Sequence, residues 1–135
     1  MLSSEIADYL ESRGVGEVGE DIFIGELPIQ KDDGTSASSG IYILQGASEG
    51  QHSYLDTNYD QLDFWSADHL TATSEGLLKS IKDLLSRASN YATPDYHIYF
   101  SHDISGIQDM QRSADGLKLF KMTLRFIYRD KNIIS

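Results

Sequence analysis

The sequence predicts an α+β fold, a mixed, mainly antiparallel β-sheet with two helices packed on one face, and three stretches carry that prediction. Leu77, Leu78, Ile81, Leu84, Leu85, Ala88 and Tyr91 recur with helical period, so an amphipathic helix is expected between Thr73 and Tyr91. In the last apolar run Phe120, Met122, Leu124, Phe126 and Tyr128 alternate with Lys121, Thr123, Arg125 and Arg129. A strand with one apolar and one basic face follows from that period of two. Gly40-Ile41-Tyr42-Ile43-Leu44-Gln45 is apolar on both faces, as an inner strand is.

The other elements follow in chain order. Ser3 or Ser4 caps a short first helix, Glu5 and Asp8 suit its N-terminal dipole, and Leu2, Ile6, Tyr9 and Leu10 share one face. Gly14 is placed to end it, because the residue after a helix often needs a positive φ. Asp21 to Leu27 reads as a strand closed by Pro28, and Gln30 to Gly40 as a polar loop turning at Asp33-Gly34. A second polar loop is expected from Gly46 to about Tyr59, before a third strand in which Leu62, Phe64 and Ser66 face inward. Thr73 or Ser74 starts the long helix, and Pro94 blocks its continuation. Beyond it come a strand over Asp95 to Phe100 and a hairpin whose arms, Ile107 to Arg112 and Leu117 to Arg129, join through Ala114-Asp115-Gly116. The resulting order is helix, three strands, long helix, three strands.

The chain's 135 residues fit one domain spanning 1–135. No cysteine is present, which removes disulfides, thiolate metal ligation and cysteine catalysis. Met1-Leu2-Ser3-Ser4-Glu5 has neither a basic nor an apolar leader region, and no apolar stretch approaches the roughly 20 residues that cross a bilayer, so cytoplasmic synthesis and no membrane role are expected. The formal net charge of -10 is divided unevenly, with 14 acidic and 2 basic residues in 1–68 against 7 acidic and 9 basic in 69–135. Such a balance disfavours binding along nucleic-acid phosphates and points to protein partners of complementary charge.

Tests for chemistry return little. Gly14-Val15-Gly16-Glu17-Val18-Gly19 fits G-x-G-x-x-G, yet it follows a helix and precedes a strand, the reverse of a dinucleotide site, and Glu17 would repel phosphate. Asp56-Thr57-Asn58-Tyr59-Asp60 begins like an EF-hand loop, but Gln61 replaces the required glycine and Ala67 the bidentate glutamate. His52, His69, His97 and His102 form no helical H-x-x-x-H pair, although His97 and His102 could approach at a strand end. Ser101-His102-Asp103 are sequence neighbours, unlike a triad assembled in space, and Asp32 with Asp33 are ordinary turn residues. No catalytic, cofactor or metal residues are assigned. Lys121, Arg125 and Arg129 recur every four residues on one strand face, about 13 Å apart per step. They form either a solvated sheet face or a docking surface for an acidic partner such as the N-terminal half of a second copy.

Ile6-Ala7-Asp8-Tyr9-Leu10, the glycines from Gly14 to Gly19, and Asp21 to Pro28 resemble the start of the tail terminator proteins, often labelled minor capsid proteins, of long-tailed phages. The helix carrying Leu77 to Leu85, Met110-Gln111-Arg112-Ser113, and a closing hairpin ending Phe126-Ile127-Tyr128-Arg129 are similar to that family's layout. The resemblance implies a virion protein, not an enzyme. It would form a ring, usually of six subunits, at the head-proximal end of the tail tube, stop tube polymerisation and join the head's connector. The tail tube protein, a head-closure or connector protein, further copies of itself and passing genomic DNA would be its partners, with the two polar loops ordering on assembly. Another neck component is the alternative within that class; a ligand-binding domain or enzyme using the face near His97 and His102 is the alternative outside it.

Overall fold

The computed structural model describes residues 2–25, 39–52, 57–112 and 116–131, without the side chains of 47–52. Helix α1 (Leu2–Ser12) is followed by strands β1 (Ile22–Ile24), β2 (Gly40–His52) and β3 (Thr57–Asp68), helix α2 (Thr71–Leu85), and strands β4 (Ala88–Ala92), β5 (Tyr96–Asp103), β6 (Gln108–Asp109) and β7 (Lys118–Asp130). The strands form one sheet in the order β1-β2-β3-β7-β5-β4, with β6 also paired to β7. Of the pairings between these strands, β1 with β2 is parallel and the others are antiparallel, and a single parallel bridge joins Val18 to Ile22. This is the α+β arrangement the patterns predict.

Both helices lie against the same sheet face. Ile6 and Leu10 of α1 and Leu78, Ile81 and Leu85 of α2 pack with Ile41, Ile43, Leu62, Phe64, Met122, Leu124 and Phe126, all fully or almost fully buried. The alternation expected in the third and last strands is the one observed. Burying each such side chain stabilises by roughly 1.5–3 kcal/mol, so this layer, and not solvent-screened surface ion pairs such as Lys79–Glu75, dominates the stability.

Helix α1 ends as its sequence requires. Gly14 has φ 79°, its N–H donates to the carbonyl of Glu11 at 3.0 Å, and the N–H of Val15 donates to that of Leu10 at 3.1 Å. These two bonds form a Schellman cap, with Val15 packing on the core. Glu5, in the first turn, accepts the backbone N–H of Asp95 at 2.7 Å, and the Tyr9 ring packs at a tilt against that of Tyr91, centroids 5.0 Å apart. The helix thus reaches from β1 to the segment around β4.

Several expected boundaries are corrected. The long helix stops at Leu85, where Ser86 turns extended and Arg87 adopts φ 61°. Ala88 to Tyr91 belong to β4, so they extend the helical stripe in spacing alone. Tyr91 still packs on the core, which is why its spacing imitates a helix residue. At the other end the helix begins at Thr71 after Leu70, which makes no side-chain cap. Ser74 is not the cap. It is buried in the first turn, with its hydroxyl donating to the carbonyl of Lys118 at 2.8 Å and paired with Ser66 at 3.0 Å.

The second polar loop is largely strand. Positions 46–52 continue β2 and 57–59 begin β3, with register shifts between Gln45 and Ser48 and between Ser48 and Gly50. Bulges of this kind let polar, glycine-containing sequence remain paired. The hairpin into the last strand is present, but its first arm is β6 alone, and a further strand, β4, precedes β5. Strand 21–27 is observed as Ile22–Ile24, and Gly25 at φ 129° follows it. Positions 26–38, 53–56 and 113–115, and with them the expected turns at Asp33-Gly34 and Ala114-Asp115 and the expected ordering of the loop over 30–38, lie outside the described residues.

A basic and aromatic sheet face as the candidate functional site

The sheet face away from the helices holds the sequence-predicted basic row. Lys121 pairs across β3 with Trp65, Arg125 lies between Gln61 and His102, and Arg129 is opposite His97. All three are half-buried. The structure adds aromatic rings the row alone did not announce: the Lys121 ammonium lies 5.5 Å from the centre of the Trp65 ring, and the Arg125 guanidinium 5.6 Å from that of Tyr59. These are cation–π distances. Strand alternation and register could have revealed them, since Tyr59, Trp65, Lys121 and Arg125 share one parity, but register requires knowing which strands pair.

Around that row, Phe100 and His102 are 5.2 Å apart and His97 and Tyr99 5.0 Å apart on β5. Asp63 lies among the cations, and its carboxylate accepts the Thr123 hydroxyl at 2.6 Å. At the β1 side of the same face Phe23 stacks on Tyr42 at 5.1 Å, and Tyr42, Ala67 and Leu117 form a small second cluster. Burial raises the Tyr42 phenol above its ordinary range.

The other motifs take structural roles. The glycine-rich turn has its amides capped by the chain's own carboxylates: Glu17 N–H donates to Asp21 at 3.0 Å and Val18 N–H to Glu11 at 2.6 Å. Gly16 is required by space, because a Cβ there would come within 2.9 Å of that of Asp21. The EF-hand-like run from Thr57 onward lies in extended β3, which cannot wrap a cation, and Asp60 accepts the Tyr128 hydroxyl. Among the described residues no group of three or more His, Asp or Glu could hold a metal ion.

Ser101, His102 and Asp103 alternate through the sheet. Ser101 is buried on the helix side and donates to the carbonyl of Leu85 at 2.6 Å, whereas His102 faces the opposite side. Asp103 pairs with Lys82 at 3.5 Å and caps the turn through the N–H groups of Ser105 and Gly106. His97 and His102 share a face but are opposite Arg129 and Arg125, four residues or about 13 Å apart along β7, too far to share an ion. Ser101 and Asp103 therefore lie on the side of the sheet opposite His102, and the three do not join as a nucleophile with its base.

Arg112 has a role that spacing did not disclose. Its guanidinium donates to the carbonyls of Gly116 at 2.9 Å and His69 at 3.2 Å and to the Thr71 hydroxyl at 3.3 Å, tying the last hairpin to the start of α2.

A family model described as "Bacteriophage tail terminator protein" matches residues 9–130, which include both helices, apart from the first turns of α1, and every strand. The chain belongs to this tail terminator family. The match makes it a structural component of the phage virion, in a family named for assembly rather than for a reaction. No curated protein matches the chain. Among the described residues no helix is long and apolar enough to cross a membrane.

Proposed function

We propose that this tail terminator acts as a ring, of six copies in the resemblance-based reading, seated on the head-proximal end of the tail tube. There it stops tube polymerisation and presents a surface to the connector of the head. The family match over residues 9–130 is the observation that carries this reading. The character of the sheet supports it: one face is fully used by the helices, while the other offers cations and aromatic rings to a partner.

The net charge of -10 suits a channel for DNA. Carboxylates on a lumen wall act over about 8 Å at physiological salt, enough to repel phosphates and keep a moving genome from adhering. The protein therefore works by binding its neighbours and passing DNA, without a catalytic step.

Imaging by negative stain with solution mass, on the protein alone and mixed with its tail tube protein, tests the reading. The expected outcome is rings, or caps at one end of tubes of fixed length. A monomer that leaves tube growth unchanged would overturn it.

A further inference from the structure

We infer that the basic and aromatic sheet face of one copy docks onto the acidic turn that follows α1 of the next copy. This deepens the ring reading and rests on it. The first surface is Lys121, Arg125 and Arg129 with Trp65 and Tyr59. The second is Asp8, Glu11, Glu17, Glu20 and Asp21, all exposed, with Arg13 as the base among them.

Placement makes the contact intermolecular. Helix α1 packs on the helix side of the sheet, and the acidic turn lies beyond it at the β1 edge. The basic row is on the opposite face, centred on β7. Two complementary patches on different sides of one chain cannot meet each other within it. Between copies they give a head-to-tail contact, which closes into a ring when its rotation permits.

The side chains are prepared for such a contact. Rings beneath Lys121 and Arg125 restrict those cations before docking, which lowers the ordering cost of association. Among the described residues Lys121 and Arg129 have no salt-bridge partner. Asp63, which lies among these side chains, already accepts the Thr123 hydroxyl at 2.6 Å. On the acidic side the loop backbone is fixed: Glu11 and Asp21 hold its amides, and Glu17 and Glu20 extend into solvent. Exposed Val18, at 36 % relative exposure, supplies an apolar centre for the patch.

The absence of cysteine permits a direct test. Glu20→Cys and Arg129→Cys chains are prepared separately, then oxidised alone and as a mixture. The mixture is expected to yield a disulfide-linked dimer that neither variant forms alone at comparable level. Like-with-like linkage, or none, overturns the pairing. In parallel, the double variant Lys121→Glu/Arg129→Glu is expected to self-associate at least about tenfold more weakly, and to recover when mixed with Glu17→Lys/Glu20→Lys. Recovery excludes misfolding as the cause. Normal ring formation by the reversed variant would overturn this contact and leave the terminator reading standing. A wild-type chain that forms no rings and caps no tubes would remove both.

Discussion

Ser101 of β5 donates its hydroxyl to the carbonyl of Leu85, the last residue of α2, at 2.6 Å. With its proton committed there, Ser101 accepts the Tyr91 hydroxyl at 2.7 Å, so one serine joins the helix end, β4 and β5. Ser101 is fully buried, and its loss leaves two polar groups without their partner. Ser101→Ala is therefore expected to destabilise by about 1–3 kcal/mol, read as a lower urea midpoint at unchanged slope.

Alkaline pH should expose a second dependence on tyrosines. Burial raises the Tyr91 phenol far above its ordinary value, and burial followed by the Asp60 hydrogen bond does the same to Tyr128. Both folded-state values are raised, so the folded chain retains protons that the unfolded chain loses once pH passes about 10. Their contribution is fully present below that pH and is lost as pH rises above it. Urea midpoints measured across alkaline pH should fall, and Tyr128→Phe should flatten part of the decline. A midpoint independent of pH in this range would contradict the assignment.

At the β1 edge, Gly40 has φ 156° and lies so close to β1 that a Cβ would approach the carbonyl oxygen of Asp21 to 2.6 Å. That same oxygen accepts the Ile41 N–H at 2.8 Å, so it cannot withdraw without opening the parallel pair. Gly40→Ala should destabilise by about 1–3 kcal/mol, with faster hydrogen exchange at Ile41 as the local sign.

How legible these features were depends on whether local period or tertiary pairing decides them. The inward rows of β3 and β7, the stripe of α2 and the glycine end of α1 follow from side-chain periodicity and one φ requirement, and all are visible in sequence. The end of α2 was not. Ala88 and Tyr91 continue a helical spacing, and the pairing of β4 with β5 overrides it. Likewise Gly46 to His52 reads as loop because its residues are polar, yet Gly46 approaches Gln61 so closely that a side chain would clash, a contact known only once β2 and β3 are registered. The basic row was readable from alternation; the Trp65 and Tyr59 rings beneath it required the register of β3 on β7.

Arg87 offers a test of the corrected helix end. Its φ of 61° is the left-handed region, which costs a residue with a Cβ about 1–2 kcal/mol, and its side chain is exposed. Glycine removes that strain but adds unfolded-state entropy, which offsets part of the gain. Arg87→Gly is expected to stabilise by about 0.5–1 kcal/mol in urea denaturation. Continuation of the helix to Tyr91 would give the opposite sign, because glycine inside a helix destabilises by a similar amount.

Trp65 is the chain's single tryptophan, and it lies under Lys121 on the face assigned to docking. Covering that face removes water from the indole and changes the charges around it, so self-association should shift and alter the emission in step with rising protein concentration. The change should weaken as salt is raised, since screening shortens the reach of the charges that draw the two patches together. In the Lys121→Glu/Arg129→Glu variant the concentration dependence should move to higher protein concentration. If rings form while Trp65 emission remains that of the dilute chain, the sheet face is outside the contact, and another surface closes the ring.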